Sequence, residues 1–288
     1  MALVQVNNHL WLPNRSLKFG AAPSNRLSVS AAPSINSKAP LSAAVLLRPN
    51  GNSVAARGII AKRQSGVAGW FFQGTTGSQM QLTMDWTVDA GFVCSDGDPV
   101  LAKKGQWVWC LFSADPSASP TCHIYSAVVD FVKPMTVRES SYSTATNGSG
   151  TPGNDSAAAL SIGQQSSANT GAFPGDIALA AIWGRALSAQ EFNCFINRPF
   201  PAGTLGYWLP GDNGIPAGAT QWDLSGNGNH GTPTGLTVES GPAGNAPIEN
   251  RTHSWLSVPG AAATENPAIR RFGVSQPLIS KQRGVRIF

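Results

Sequence analysis

The chain has 288 residues, of which only 12% are charged, while 31 glycines and 21 prolines supply turns along its whole length. That balance argues against a helical protein and for short strands joined by tight connections, in one main domain with extensions. The formal charge of +5 is unevenly placed: beyond Ala261, Arg270, Arg271, Lys281, Arg283 and Arg286 stand against Glu265 alone, which leaves +1 for residues 1–260 and gives the globular part no basic surface of the kind nucleic acid demands.

Met1 to Asn8 shows neither a basic start nor an apolar run, so no secretory signal is expected, and no stretch approaches the 18 apolar residues of a membrane span. Residues 1–15 form an N-terminal arm in which Leu10-Trp11-Leu12 precedes Pro13. Strands are expected at Ser16–Gly20 and Arg26–Val29, then at Ala43–Pro49 and Gly58–Arg63. Gly69–Gln73 continues the series, and Met80, Leu82, Met84 and Trp86 alternate as in a sheet with one buried face. Gly105–Phe112 and Cys122–Tyr125 are the next two strands. Ser140–Gly153 contains only small, polar and turn-forming residues apart from Tyr142 and is expected to be a surface loop, as is Gln164–Ala172. Between them Ala157–Gly163 forms another strand.

Gly175–Phe200 is the most legible stretch. Ile177, Leu179 and Ala181 alternate with smaller residues, and Ile182 and Trp183 extend the strand. Ser188 followed three residues later by Glu191 is a capping box, and Leu187 and Phe192 occupy the staple positions. Pro199 stops the helix by Asn197. Past the domain, Gly241-Pro242-Ala243-Gly244 punctuates the chain: residues 239–260 are expected to be a linker and 261–288 a basic C-terminal arm, in which Pro267 and Pro277 block helix.

The segment from Gly175 resembles the closing motif of laminin G-like, concanavalin A-like jelly-roll domains, with Trp183 at the usual aromatic position and Arg185-Ala186-Leu187-Ser188 after it. Leu17-Lys18-Phe19-Gly20 through Val29 resembles the family's opening hairpin. Gly69-Trp70, Gly105-Gln106-Trp107 and Leu160-Ser161-Ile162-Gly163 are similar to its internal strands. Gly206-Tyr207-Trp208-Leu209-Pro210 and Asp223–Thr232 match a segment that in many relatives precedes the opening hairpin; here it follows the domain and is placed to fill the same slot, as a circular permutation would. The resemblance implies an all-β antiparallel jelly-roll sandwich over residues 16–238, with one short helix and extended terminal arms. The fold carries lectins, hydrolases, adhesion modules and structural shells alike.

A hydrolase on this fold would need two carboxylates about 5–5.5 Å apart, most simply two glutamates alternating on a strand. Glu139, Glu191, Glu239, Glu249 and Glu265 are not so spaced, and no nucleophile elbow or phosphate loop is present, so no enzyme activity is expected. No cofactor is expected either, with calcium left open: Asp176, Asp223, Asn227 and Asn229 supply loop oxygens, and Asp96 and Asp98 alternate within a turn sequence. The loops around Asp96, Asn147 and Asn169 are the candidate glycan platform. Trp70, Trp86, Trp107, Trp183 and Trp208 sit in strand patterns and are expected in the core. Cys94, Cys110, Cys122 and Cys194 lack metal-ligand spacing and are expected as buried thiols in strands, with a cross-strand disulfide as the alternative.

The favoured expectation is a non-catalytic virion structural protein, a capsid decoration or fibre subunit of a phage, with a carbohydrate-binding or host-adhesion module as the alternative. Arg270, Arg271, Lys281, Arg283 and Arg286 would pair with acidic groups on a major capsid or other virion protein rather than with nucleic acid, Val285, Ile287 and Phe288 would anchor the arm, and the two arms imply a homo-oligomer.

Overall fold

A computed structural model describes residues 12–20, 22, 24–35, 40–50, 57–64, 67–75, 79–95, 101, 103–165, 171–212 and 219–245. Asp96, Asp98, Asn169 and the arm residues Arg270, Arg271, Lys281, Arg283, Val285, Arg286, Ile287 and Phe288 lie outside them. The described strands are β1 (Arg15–Phe19), β2 (Arg26–Val29), β3 (Leu41–Pro49), β4 (Arg57–Gln64), β5 (Val67–Gly74), β6 (Met80–Met84), β7 (Gly91–Ser95) and β8 (Val108–Ala114). They continue with β9 (Cys122–Val128), β10 (Arg138–Glu139), β11 (Tyr142–Thr146), β12 (Leu160–Ile162), β13 (Gly175–Trp183), β14 (Gly206–Trp208), β15 (Gly231–Thr234) and β16 (Thr237–Ser240). Helix α1 spans Ala189–Asn197, and a single helical turn, α2, spans Pro242–Asn245.

These strands form an antiparallel jelly-roll sandwich of two eight-stranded sheets. The first has the order β10-β9-β8-β3-β13-β1-β16, with β14 also on β13; the second has β11-β7-β6-β5-β4-β12-β2-β15. Leu17, Val45, Leu47, Phe112 and Ile177 from the first sheet meet Leu27, Ile60, Trp70, Phe72 and Leu82 from the second in the shared core. The first sheet has a second apolar layer on its outer side, where α1 lies over Trp109, Tyr125, Trp183 and Tyr207. Phe195 meets Trp183 edge-on with ring centroids 4.7 Å apart, and Phe192 packs on Tyr125 at 5.3 Å. The core also holds a buried ion pair: Lys62, wholly buried, places Nζ 3.1 Å from Asp155 Oδ1, and burial pulls the ammonium below its ordinary range despite that partner.

Five expectations change. Residues 16–20 and 26–29 are strands but not a hairpin: β1 pairs β13 and β16 in one sheet, β2 pairs β12 and β15 in the other, so Leu17 and Phe19 face Leu27 and Val29 across the core. Ile177 and Leu179 do not share a face. A bulge at Ala178 lets two residues oppose one on β3, turning Ile177, Ala180 and Ile182 to the inner core and Leu179, Ala181 and Trp183 to the outer layer. Ser140–Gly153 contains the edge strand β11, paired to β7; its side chains are mostly exposed, which is why it is polar. Glu239 and Ser240 belong to β16, and Gly241 and Ala243 donate to Asn14 and Pro13 carbonyls, so paired structure enters the span expected as linker. All four cysteines are free, but Cys194 is exposed on a helix rather than buried in a strand.

The capping box is present as expected: Ser188 Oγ accepts from the Glu191 amide at 3.3 Å, and Glu191 Oε2 accepts from the Ser188 amide at 2.9 Å. The helix face matters more than its end. Ser188→Ala should lower the unfolding free energy by about 1 kcal/mol and Phe192→Ala by about 3–5 kcal/mol, ranked by urea denaturation.

Candidate functional site

The C-terminal segment completes the sandwich and, in doing so, builds a loop. β14 lies on the second half of β13, with Ala181 opposite Tyr207, while β15 adds to β2 and β16 to β1. The chain between β14 and β15 must therefore cross from one sheet to the other. It does so through Gln221–His230, bridged at Trp208–Asp223 and Gln221–Gly231.

Asp223 holds this crossing together. Its Oδ1 accepts from the amides of Tyr207 and Ser225, both at 2.9 Å, and its Oδ2 from Ser225 Oγ at 2.8 Å and the Asn229 amide at 2.9 Å. Four donors fill the lone-pair sites of one carboxylate. Asn227 and Asn229 work in the same direction, each donating through Nδ2 to the Leu205 carbonyl, at 3.1 and 2.8 Å, while Asn229 Oδ1 accepts from Ser34 Oγ at 2.6 Å. Gly226 and Gly228 take φ of +90° and +73°, the left-handed region in which a side chain costs about 1–2 kcal/mol. The structure thus gathers Asp223, Asn227 and Asn229, three of the residues singled out for calcium, but aims their oxygens and amides at the chain itself. Among the described residues, no three His, Cys, Asp or Glu side chains are grouped as a metal centre would need.

Two other singled-out residues lie elsewhere. Asn147 ties neighbouring turns, accepting from the Thr121 amide at 3.1 Å and donating to Ser119 Oγ at 3.1 Å. Asp176 sits on β13 and bonds Arg48.

The self-held loop presents two large apolar side chains outward. Alternation about Asp223 turns Trp222 and Leu224 to solvent, each 38% exposed, and Trp222 is the one exposed tryptophan among the described residues. His230 meets its ring edge-on, with centroids 4.5 Å apart. The Asp223 amide donates to His230 Nδ1 at 3.1 Å, so in the neutral imidazole the proton is on Nε2, as a donor beside the indole. Trp70, Trp86, Trp107, Trp183 and Trp208 are all buried, as the strand patterns require. The sequence patterns place those five in the core and do not single out Trp222. The signal was available: Trp222 lies in Gln-Trp-Asp-Leu-Ser-Gly-Asn-Gly-Asn-His, a turn sequence with no strand partner to bury it.

No protein-family model matches the chain, and no curated protein sequence matches it. Solved structures do. A protein from Bacteroides ovatus, assigned provisionally to carbohydrate binding, is similar with a TM-score of 0.52 at 14% identity, over 80% of this chain and 60% of that one. Domains LG4-5 of the mouse laminin α1 chain are similar at 15% identity and a TM-score of 0.41, over 66% of this chain and 48% of that one. The enzymatically active domain of tailspike protein 2 from bacteriophage CBA120 is similar at 13% identity and a TM-score of 0.43, over 69% and 34%. The chain spans 60% of the length of the first of these. Its fold is an antiparallel jelly-roll sandwich, similar to that of the Bacteroides ovatus protein. No helix among the described residues is long and apolar enough to cross a membrane.

Proposed function

We propose that this protein is a non-catalytic carbohydrate-binding module used in adhesion, and that Trp222 with His230 forms its contact surface. The observation that carries this reading is an exposed indole on a loop whose own conformation is fixed by hydrogen bonds to Asp223. A flat aromatic face accepts the C–H face of a sugar ring, and a fixed donor beside it orients a hydroxyl or ring oxygen. Preorganisation matters because a loop that is already ordered loses little entropy on binding. The provisional assignment of the Bacteroides ovatus protein to carbohydrate binding agrees with it. The carboxylates argue against catalysis: Asp223 is filled by four donors from the chain, and the five glutamates of the sequence have no paired spacing.

A second reading concerns where the module is carried. The concentration of Arg270, Arg271, Lys281, Arg283 and Arg286 with Val285, Ile287 and Phe288 in one segment favours an anchor on an acidic neighbour, which makes the protein a structural subunit of a virus particle. The major capsid or another virion protein is then the partner, with copies of this chain assembled around it.

Two experiments check these readings. On a glycan array with the full chain, a set of related glycans should be retained, and Trp222→Ala should weaken each about tenfold, the equivalent of ~1.4 kcal/mol of stacking; retention unchanged by Trp222→Ala would refute the platform. Deletion of residues 261–288 should strip the protein from gradient-purified particles, and full occupancy by the truncated chain would refute the anchor.

A further inference from the structure

The outer face of the first sheet carries a concavity that the Trp222 loop does not use. In β1, β13 and β3, Lys18 stands opposite Asp176 and Asp176 opposite Arg48. Their strand neighbours Leu17, Phe19, Ile177 and Leu47 point into the core, so these three charged side chains point outward in one row. Glu239 on β16 extends the row, 3.6 Å from Lys18 Nζ. With Asn50 and Gly105 they line a concavity of about 210 Å³.

Asp176 is the informative residue. It is only 4% exposed; Oδ2 accepts from Arg48 Nε at 2.9 Å, while Oδ1 has no hydrogen-bond partner. A buried polar atom left unpaired keeps its full desolvation penalty. Consistent with that, burial pushes the Asp176 carboxyl above the ordinary aspartate range, and Arg48 offsets only part of the rise. Arg48 reaches Oδ2 through Nε while its guanidinium carbon lies 5.0 Å above the centre of the Trp107 ring. Lys18 is drawn toward Glu239 and is 44% exposed. A donor for Oδ1 is therefore missing from the row, and a ligand hydroxyl that reaches this buried oxygen would supply it.

The chemistry of the row limits what that ligand is. Lys18 and Arg48 balance Asp176 and Glu239, so a charged ligand meets no net opposite charge. A hydroxyl both donates and accepts, which suits an unpaired carboxylate oxygen next to an ammonium. At ~30 Å³ per water the concavity holds about seven waters, room for one sugar ring. Arg48 and Gly105 also line a neighbouring cleft of about 480 Å³ whose other walls include Val128, Val129 and Phe131.

We propose that this groove is a second ligand site, taking two adjacent hydroxyls of a single sugar ring, one donating to Asp176 Oδ1 and the other accepting from Lys18 Nζ. It stands independently of the Trp222 platform. Saturation-transfer NMR on the full chain with the methyl pyranosides of glucose, galactose and mannose tests it. In the Trp222→Ala protein, where the platform is removed, at least one pyranoside should still show transfer, with affinity reduced at least tenfold when Asp176→Asn or Lys18→Ala is added. Lys18→Ala removes an exposed side chain and decides the matter should Asp176→Asn fail to fold. In that background, transfer that survives Lys18→Ala and a folded Asp176→Asn, or no transfer at all, overturns the second site. Loss in Trp222→Ala alone overturns it too, while leaving the platform standing.

Discussion

The structure depends on burying β13 from both sides. All nine of its residues are buried, which a two-layer sandwich cannot achieve for a strand whose outer face would meet water. The chain solves this locally: the strand feeds directly into α1, which folds back over Trp183 and carries Phe192, Phe195 and Ile196 onto the outer face. The bulge at Ala178 divides the large side chains between the two layers. One end of β13 is thus sealed under the helix, and the other, at Asp176, opens on the charged row.

The other constraint is the crossing between sheets. The C-terminal segment gives β14 and β16 to one sheet and β15 to the other, so the chain between β14 and β15 crosses between sheets, and in Gln221–His230 side chains of the loop satisfy its amides. Asp223, Asn227 and Asn229 are spent on that task. A loop stiffened this way keeps Trp222 in place at the surface. Fold and proposed contact surface therefore share one set of hydrogen bonds.

Much of this was legible in the sequence because it is local. The capping box at Ser188 and Glu191 needs only a three-residue spacing, and the alternation of Met80, Leu82 and Met84 needs only one buried face. What was not legible is non-local. Ser16–Gly20 and Arg26–Val29 are expected as a hairpin from their resemblance to the family's opening hairpin, but the strands there find their partners more than a hundred residues away. The Ala178 bulge is invisible because it depends on β3. Asp223 is an acid in a polar loop, a pattern that a cation site and a self-bonded turn share; the amides of Tyr207, Ser225 and Asn229 that it accepts from are visible only in the fold. Trp222 was passed over because five other tryptophans lay in clearer patterns.

The most direct test of the account follows the indole Nε1–H resonances while the full chain is titrated with a glycan it retains. The account predicts that the Trp222 resonance moves with ligand and saturates, while those of the buried Trp70, Trp109, Trp183 and Trp208 stay in place. Saturable binding that leaves the Trp222 resonance unmoved would contradict it.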